Sequence, residues 1–330
     1  MEGRIEEIAL FSYNLLIMRL YNDKPIVGHT KILDLLERGV KNDRLAQAYV
    51  FLGPAKVGKN TVAGWLASQL LEVTDGNLDS HPNISIVRRE YDEKKKKMKS
   101  KISIEQIRNL RERLGMSSFG GGHKVAIIEE AESMSLDAAN ALLKTLEEPS
   151  GQTTIILIAA NQSRIPATIF SRAHVLKFNL VSDKDIKQAL GDNVLADELV
   201  VYSAGRPGVA LSLVDDAEEL EARRSDANEF WTILKESLAG RLAMAGSLPK
   251  GVAARDEVRS KLNRYEVMLR DLLLSSCGCV DLVSTTEAKR YSKEPASRWH
   301  QGLKTISDCR AALEANTNPQ LVLENFLIKL

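Results

Sequence analysis

The sequence predicts an α/β domain with a mostly parallel sheet, followed by all-α structure. Three observations carry that reading: short apolar, β-rich runs alternate with helical patterns over residues 25–178, strand signals vanish after Leu180, and residues 218–330 read as helix apart from a polar interruption at 284–297. The chain's 330 residues, 44% of them apolar, are enough for two or three domains with sizeable cores. We divide it into an N-terminal extension (1–24), an α/β domain (25–180), a small helical domain (181–217) and a larger helical domain (218–330).

The elements follow in order. AYVFLG (48–53) is a strand running into a glycine loop. Residues 61–73 have helical spacing, with Val62, Leu66, Leu70 and Val73 on one face. ISIVRRE (84–90) is a second strand, and KVAIIEE (124–130) a third whose unbroken apolar run suits burial on both faces. Residues 136–148 form a helix stopped by Pro149. TTIILIAAN (153–161) and HVLKFN (174–179) complete five strands, and Ser182 with Asp185 forms a capping box at the start of the helical part. EYDEKKKKMKSK (90–101) reads as a solvated, charged loop, with a DNA-facing patch as the sharper alternative. Phe230, Trp231 and Trp299 read as packing between helices.

Composition excludes several classes. The formal charge of +1 provides no global field toward nucleic acid or membrane. No apolar run approaches the ~20 residues that span a bilayer. At the N-terminus acidic residues precede a short apolar segment and no small-residue cleavage site follows, so no secretion signal is expected; Met18 would serve as an alternative start. Cys277, Cys279 and Cys309 have no second pair or clustered histidine to complete a zinc tetrahedron; free thiols, a reducing cytoplasm and no zinc are expected.

The chemistry concentrates at GPAKVGKNT (53–61), which matches G-x-x-x-x-G-K-[ST] except in its last position. It follows a strand and opens a helix. Gly53 and Gly58 let backbone N–H groups face phosphates, the helix N-terminus adds its positive end, and Lys59 reaches the terminal phosphates. Asn60 stands where a hydroxyl would bind magnesium, and Thr61 lies one residue on, ~100° around the helix. In IIEEAE, Glu129 takes the place of the magnesium-holding aspartate and Glu130 that of the carboxylate orienting the attacking water. The extra methylene of Glu129 moves its carboxylate by about 1.5 Å, which magnesium tolerates poorly. Residues 53, 58–61 and 129 are therefore the candidate nucleotide contacts, and no metal site is expected.

NALLKTLEEP (140–149) and IPATIFSRA (165–173) resemble the bacterial clamp-loader subunits of the AAA+ superfamily, the gamma/tau and delta-prime subunits of DNA polymerase III. PIVGH (25–29), the phosphate-loop region, SAGRPGVAL (203–211) and NTNPQLVLENFLIKL (316–330) are similar to further segments of that family, so the resemblance covers about residues 25–330. It implies a P-loop AAA+ parallel-sheet domain, a small helical lid and a C-terminal helical collar that assembles with gamma/tau and delta subunits. The complex would load the sliding clamp onto primed DNA in replication.

The departures from the gamma/tau pattern resemble delta-prime. No zinc module interrupts the α/β part. Ala159–Ala160 stand where a sensor threonine is found, and Gly208 falls on the sensor-arginine position after Arg206–Pro207. Ser171–Arg172 is similar to the family's S-R-C motif, which implies an arginine finger acting in trans on the next subunit's ATP. Glu130 is then a vestigial or weak water-orienting carboxylate, and ATP, if held, is held weakly and not hydrolysed. Two alternatives are an active gamma/tau-like ATPase and a stand-alone module that binds primed DNA.

Overall fold

The computed structural model describes residues 20–21, 24–73, 78–93, 96–148, 151–246 and 252–330. Most of the extension, residues 1–19, lies outside the described residues. Leu20–Tyr21 pairs antiparallel with Lys24–Pro25, and the Tyr21 ring lies against Gly64.

The described chain forms two compact units: one reaching to Gly191 and taking in Gly205–Gly208, the other comprising Asp192–Ala204 and Val209–Leu330. Residues 181–217, read from sequence as a separate small helical part, are thus shared between the two. Backbone bonds explain the share held by the α/β unit. Val181 N–H donates to Gly205 O at 2.8 Å, and Gly208 N–H donates to Lys56 O at 2.9 Å.

The first unit is built on five parallel strands: β1 (Ala48–Leu52), β2 (Ile84–Val87), β3 (Lys124–Ile128), β4 (Thr153–Ala159) and β5 (His174–Lys177), in the order β2-β3-β4-β1-β5. In β1, β3 and β4 every residue is buried, as their unbroken apolar runs require of strands covered on both faces. The helices are α1 (Thr30–Lys41), α2 (Lys59–Leu71), α3 (Ile104–Gly115), α4 (Leu136–Glu147), the short α5 (Ala167–Phe170) and α6 (Asp183–Leu190). Period-2 alternation divides the core. Val50, Ile128, Ile155 and Leu157 pack with Ile107, Leu110 and Leu142 of α3 and α4. Phe51, Ile127, Ile156 and Ile158 pack with Leu33 and Leu36 of α1 and Val62 and Leu66 of α2.

The helix ends have local causes. Ser103 and Gln106 form a complete capping box on α3, Ser135 accepts from Ala138 N–H to start α4, and Ser182 accepts from Asp185 N–H to start α6. The second strand stops at Val87, short of the expected Glu90. In the charge run expected to be a loop, Tyr91–Asp92 pairs antiparallel with Lys97–Met98, and Lys99 Nζ reaches Glu90 at 2.7 Å.

The second unit is helical: α7 (Ala196–Ser203), α8 (Pro207–Asp215, whose first two residues belong to the first unit), α9 (Ala217–Ile233), α10 (Leu238–Ala245), α11 (Val252–Ser276), α12 (Ala296–Glu314) and α13 (Pro319–Lys329). Phe230, Tyr265, Trp299 and Phe326 are fully buried in one core, with Trp231 packed against it. Arg264 pairs with Asp226, and Lys261 with Glu229, so the polar groups between α9 and α11 are mutually satisfied. Among the described residues no helix is long and apolar enough to cross a membrane, and no group of three or more His, Cys, Asp or Glu side chains could hold a metal.

Candidate functional site

β1 ends in the phosphate loop, and the loop opens α2. Gly58 caps α2 at φ 107°, in the left-handed region that favours glycine. A Cβ built there would meet nothing within 4 Å, so the backbone opens onto free space. That combination, with the N-terminus of a 13-residue helix behind it, suits a phosphate group. Gly53 plays a different part from the one its spacing suggests: its N–H is spent on Ala159 O at 3.1 Å.

Lys59 is 5% exposed. Its Nζ donates to Gly53 O at 2.7 Å and Pro54 O at 2.6 Å, so it folds back over the start of its own loop. Burial pushes its ammonium down to about 8, against the opposing pull of the Glu132 charge. Below the loop, His29 Nε2 donates to Val57 O at 2.9 Å. Burial, and secondarily the Lys59 charge, lower the His29 pKa against that hydrogen bond, favouring the neutral imidazole that makes it.

The loop borders an open cleft of about 530 Å³, which is also lined by Asn60, Thr61, Glu129, Glu130, Glu132, Ala160 and Gly208. The predicted nucleotide contacts Gly58, Lys59, Asn60, Thr61 and Glu129 therefore converge, with Glu130 beside them. Glu130 adopts the left-handed conformation at φ 48° and its carboxylate pairs with Arg89. A water-orienting role for Glu130 would have to compete with this ion pair.

Sequence reasoning missed Glu132. Its Oε1 accepts Ala160 N–H at 2.9 Å, tying the turn after β3 to the end of β4. Its Oε2 is buried without a hydrogen-bond partner among the described residues. The one available signal was a third carboxylate in E-E-A-E, two positions beyond Glu130.

The positions that the resemblance makes sensors, 160 and 208, offer no functional groups. Ala160 brings a methyl group to the cleft. Gly208 lies so near the phosphate loop that an added Cβ would stand 2.9 Å from Lys56 O. A side chain at residue 208 would require the Lys56 carbonyl or the start of α8 to shift. The open backbone at Gly58 and the N-terminus of α2 have the features a phosphate group requires, whereas a magnesium ion would find neither a hydroxyl at Asn60 nor a short carboxylate at Glu129.

Arg172 is not among the residues lining this cleft. It follows α5, where Ser171 Oγ donates to Thr168 O at 2.9 Å. Arg172 Nη1 donates to Thr168 O and Ser171 Oγ at 3.1 and 3.0 Å, and Nε donates to Glu147 Oε1 of α4 at 2.6 Å. Its side chain is 34% exposed. NALLKTLEEP and the S-R motif, separate in sequence, therefore meet through this pair.

A family model described as "DNA polymerase III, delta subunit" matches residues 28–182. The DNA polymerase III subunit delta' of Pseudomonas aeruginosa is 36% identical over 188 residues, 51% of this chain and 56% of that protein. The subunit delta' of Bacillus subtilis is 30% identical over 173 residues, 48% of this chain and 50% of the relative. The subunit tau of Bacillus subtilis is 28% identical over 228 residues, 61% of this chain and 38% of the relative. The chain thus spans about half the length of the delta' relatives and less of tau. Among solved structures, a DNA polymerase III gamma subunit-related protein from Thermotoga maritima is 19% identical with a TM-score of 0.46, covering 89% of this chain and 97% of that one.

Proposed function

We propose that this chain, whose residues 28–182 match a DNA polymerase III subunit model and which is similar to delta' subunits over about half its length, works as a delta-prime-like subunit of the clamp loader. In that role it does not hydrolyse ATP itself and supplies Arg172 to the ATP site of a neighbouring subunit. Gamma/tau-type and delta-type subunits are its partners in the cytoplasm, and it meets the sliding clamp and primed DNA through the assembled complex. The chemistry Arg172 would supply is charge stabilisation on the transferring phosphoryl group.

One observation carries the reading: Gly208 backs directly onto the phosphate loop through its N–H to Lys56 O at 2.9 Å, in a cleft whose other reactive positions are Asn60, Glu129 and Ala160. A cleft that retains Gly58 and Lys59 but has no hydroxyl at residue 60, no aspartate at residue 129 and no functional side chain at residues 160 and 208 suits nucleotide retention without turnover. The purified chain is expected to show no ATP turnover that depends on Lys59. Turnover of order one per second, abolished by Lys59→Ala, would favour a gamma/tau-like ATPase. That second reading is supported by the longer match to tau, 61% of this chain against 51% for the delta' of Pseudomonas aeruginosa.

A further inference from the structure

The phosphate loop carries a buried cation whose two hydrogen-bond acceptors, Gly53 O and Pro54 O, are neutral. A charge so placed needs an anion nearby to be tolerated. Three carboxylates border the cleft. Glu130 is engaged by Arg89. Glu132 is fixed through Oε1 by Ala160 N–H at 2.9 Å, while its buried Oε2 has no hydrogen-bond partner among the described residues. Glu132 is also the carboxylate whose field supports the charged form of Lys59.

We propose that Glu132 is the resident counter-ion of Lys59 and for that reason a competitor of phosphate in this cleft. It supplies the negative charge that the terminal phosphates of a nucleotide would otherwise bring. The loop is then stable without ligand, and a nucleotide must enter against a fixed like charge. The inference rests on the reading of the cleft as a phosphate cradle. It goes beyond that reading by naming the residue that sets the affinity.

The test is a double-mutant cycle on the full chain with Glu132→Gln and Lys59→Met. Glutamine keeps an Oε1 acceptor for Ala160 N–H and removes only the charge. ADP in EDTA is titrated onto the wild type, both single variants and the double variant, and each protein is melted without nucleotide. Glu132→Gln is expected to bind ADP about tenfold more tightly than the wild type, as loss of one like charge near the phosphates implies. The gain is expected to vanish in the Lys59→Met background, and Glu132→Gln is expected to lower the melting temperature only where Lys59 is present. ADP affinity unchanged or weakened in Glu132→Gln, or the same gain without Lys59, would overturn the proposal. If no variant binds ADP at millimolar concentration while the melting cycle still couples the two residues, the electrostatic coupling of Lys59 and Glu132 stands and the phosphate-cradle reading fails.

Discussion

Lys59 is where sequence motif and local physics meet most directly. Its folded-state pKa, about 8, lies below the 10.5 of the free side chain. Between those values the unfolded chain binds the extra proton, so the Lys59 contribution to stability improves as pH rises through that window and is least favourable below pH 8. Melting of wild type against Lys59→Met between pH 7 and 10 is expected to move the difference in favour of the wild type as pH rises. A pH-independent difference would mean that burial does not perturb Lys59. At Gly208 the argument is steric. Gly208→Ala places a methyl 2.9 Å from the Lys56 carbonyl, and a loss of about 1–3 kcal/mol in chemical denaturation is expected for such overpacking. The Arg172–Glu147 pair is partly exposed, with 34% and 47% of the two side chains accessible. Glu147→Gln is therefore expected to change stability by less than about 1 kcal/mol, so any effect of that substitution on ATP turnover in a complex would report on the pose of Arg172 and not on folding.

Elements differ in how far the sequence reveals them. The buried strands β1, β3 and β4 were legible because their apolar runs are unbroken, and their ends differ from expectation by one or two residues. β2 was overextended because Arg88, Arg89 and Glu90 continue an extended-looking run after the last ladder residue, Val87. α3 did not emerge from the sequence at all, since its stripe of Ile107, Leu110 and Leu114 is narrow and sits directly after a charge-dense segment. Its start was nonetheless written locally in the Ser103–Gln106 box. Ser103→Ala is expected to cost about 1 kcal/mol, read from the denaturation midpoint. Of the site, Gly58, Lys59, Asn60, Thr61 and Glu129 were legible from spacing, because strand-loop-helix geometry fixes where such residues lie. Glu132 was hidden, because its importance comes from a contact with Ala160, which stands 28 residues away in sequence.

At the scale of the whole molecule, the resemblance in the α/β part and the resemblance near the C-terminus fall in different compact units. The helical unit has its own aromatic core around Phe230, Tyr265, Trp299 and Phe326, which is a self-sufficient reason for it to fold. The α/β unit opens its glycine loop onto the cleft at Gly58 and Lys59, and carries Arg172 on a turn braced by Glu147. Under the proposed function, Arg172 completes a neighbour's reaction. The most direct test is the ATP turnover of a clamp-loader complex reconstituted with gamma/tau-type and delta-type partners, comparing wild type with Arg172→Ala. The expected result is a fall of about a thousandfold or more at the site that Arg172 serves, the scale of arginine-finger removal, with the complex still assembled. Unchanged turnover in an intact complex would contradict the account.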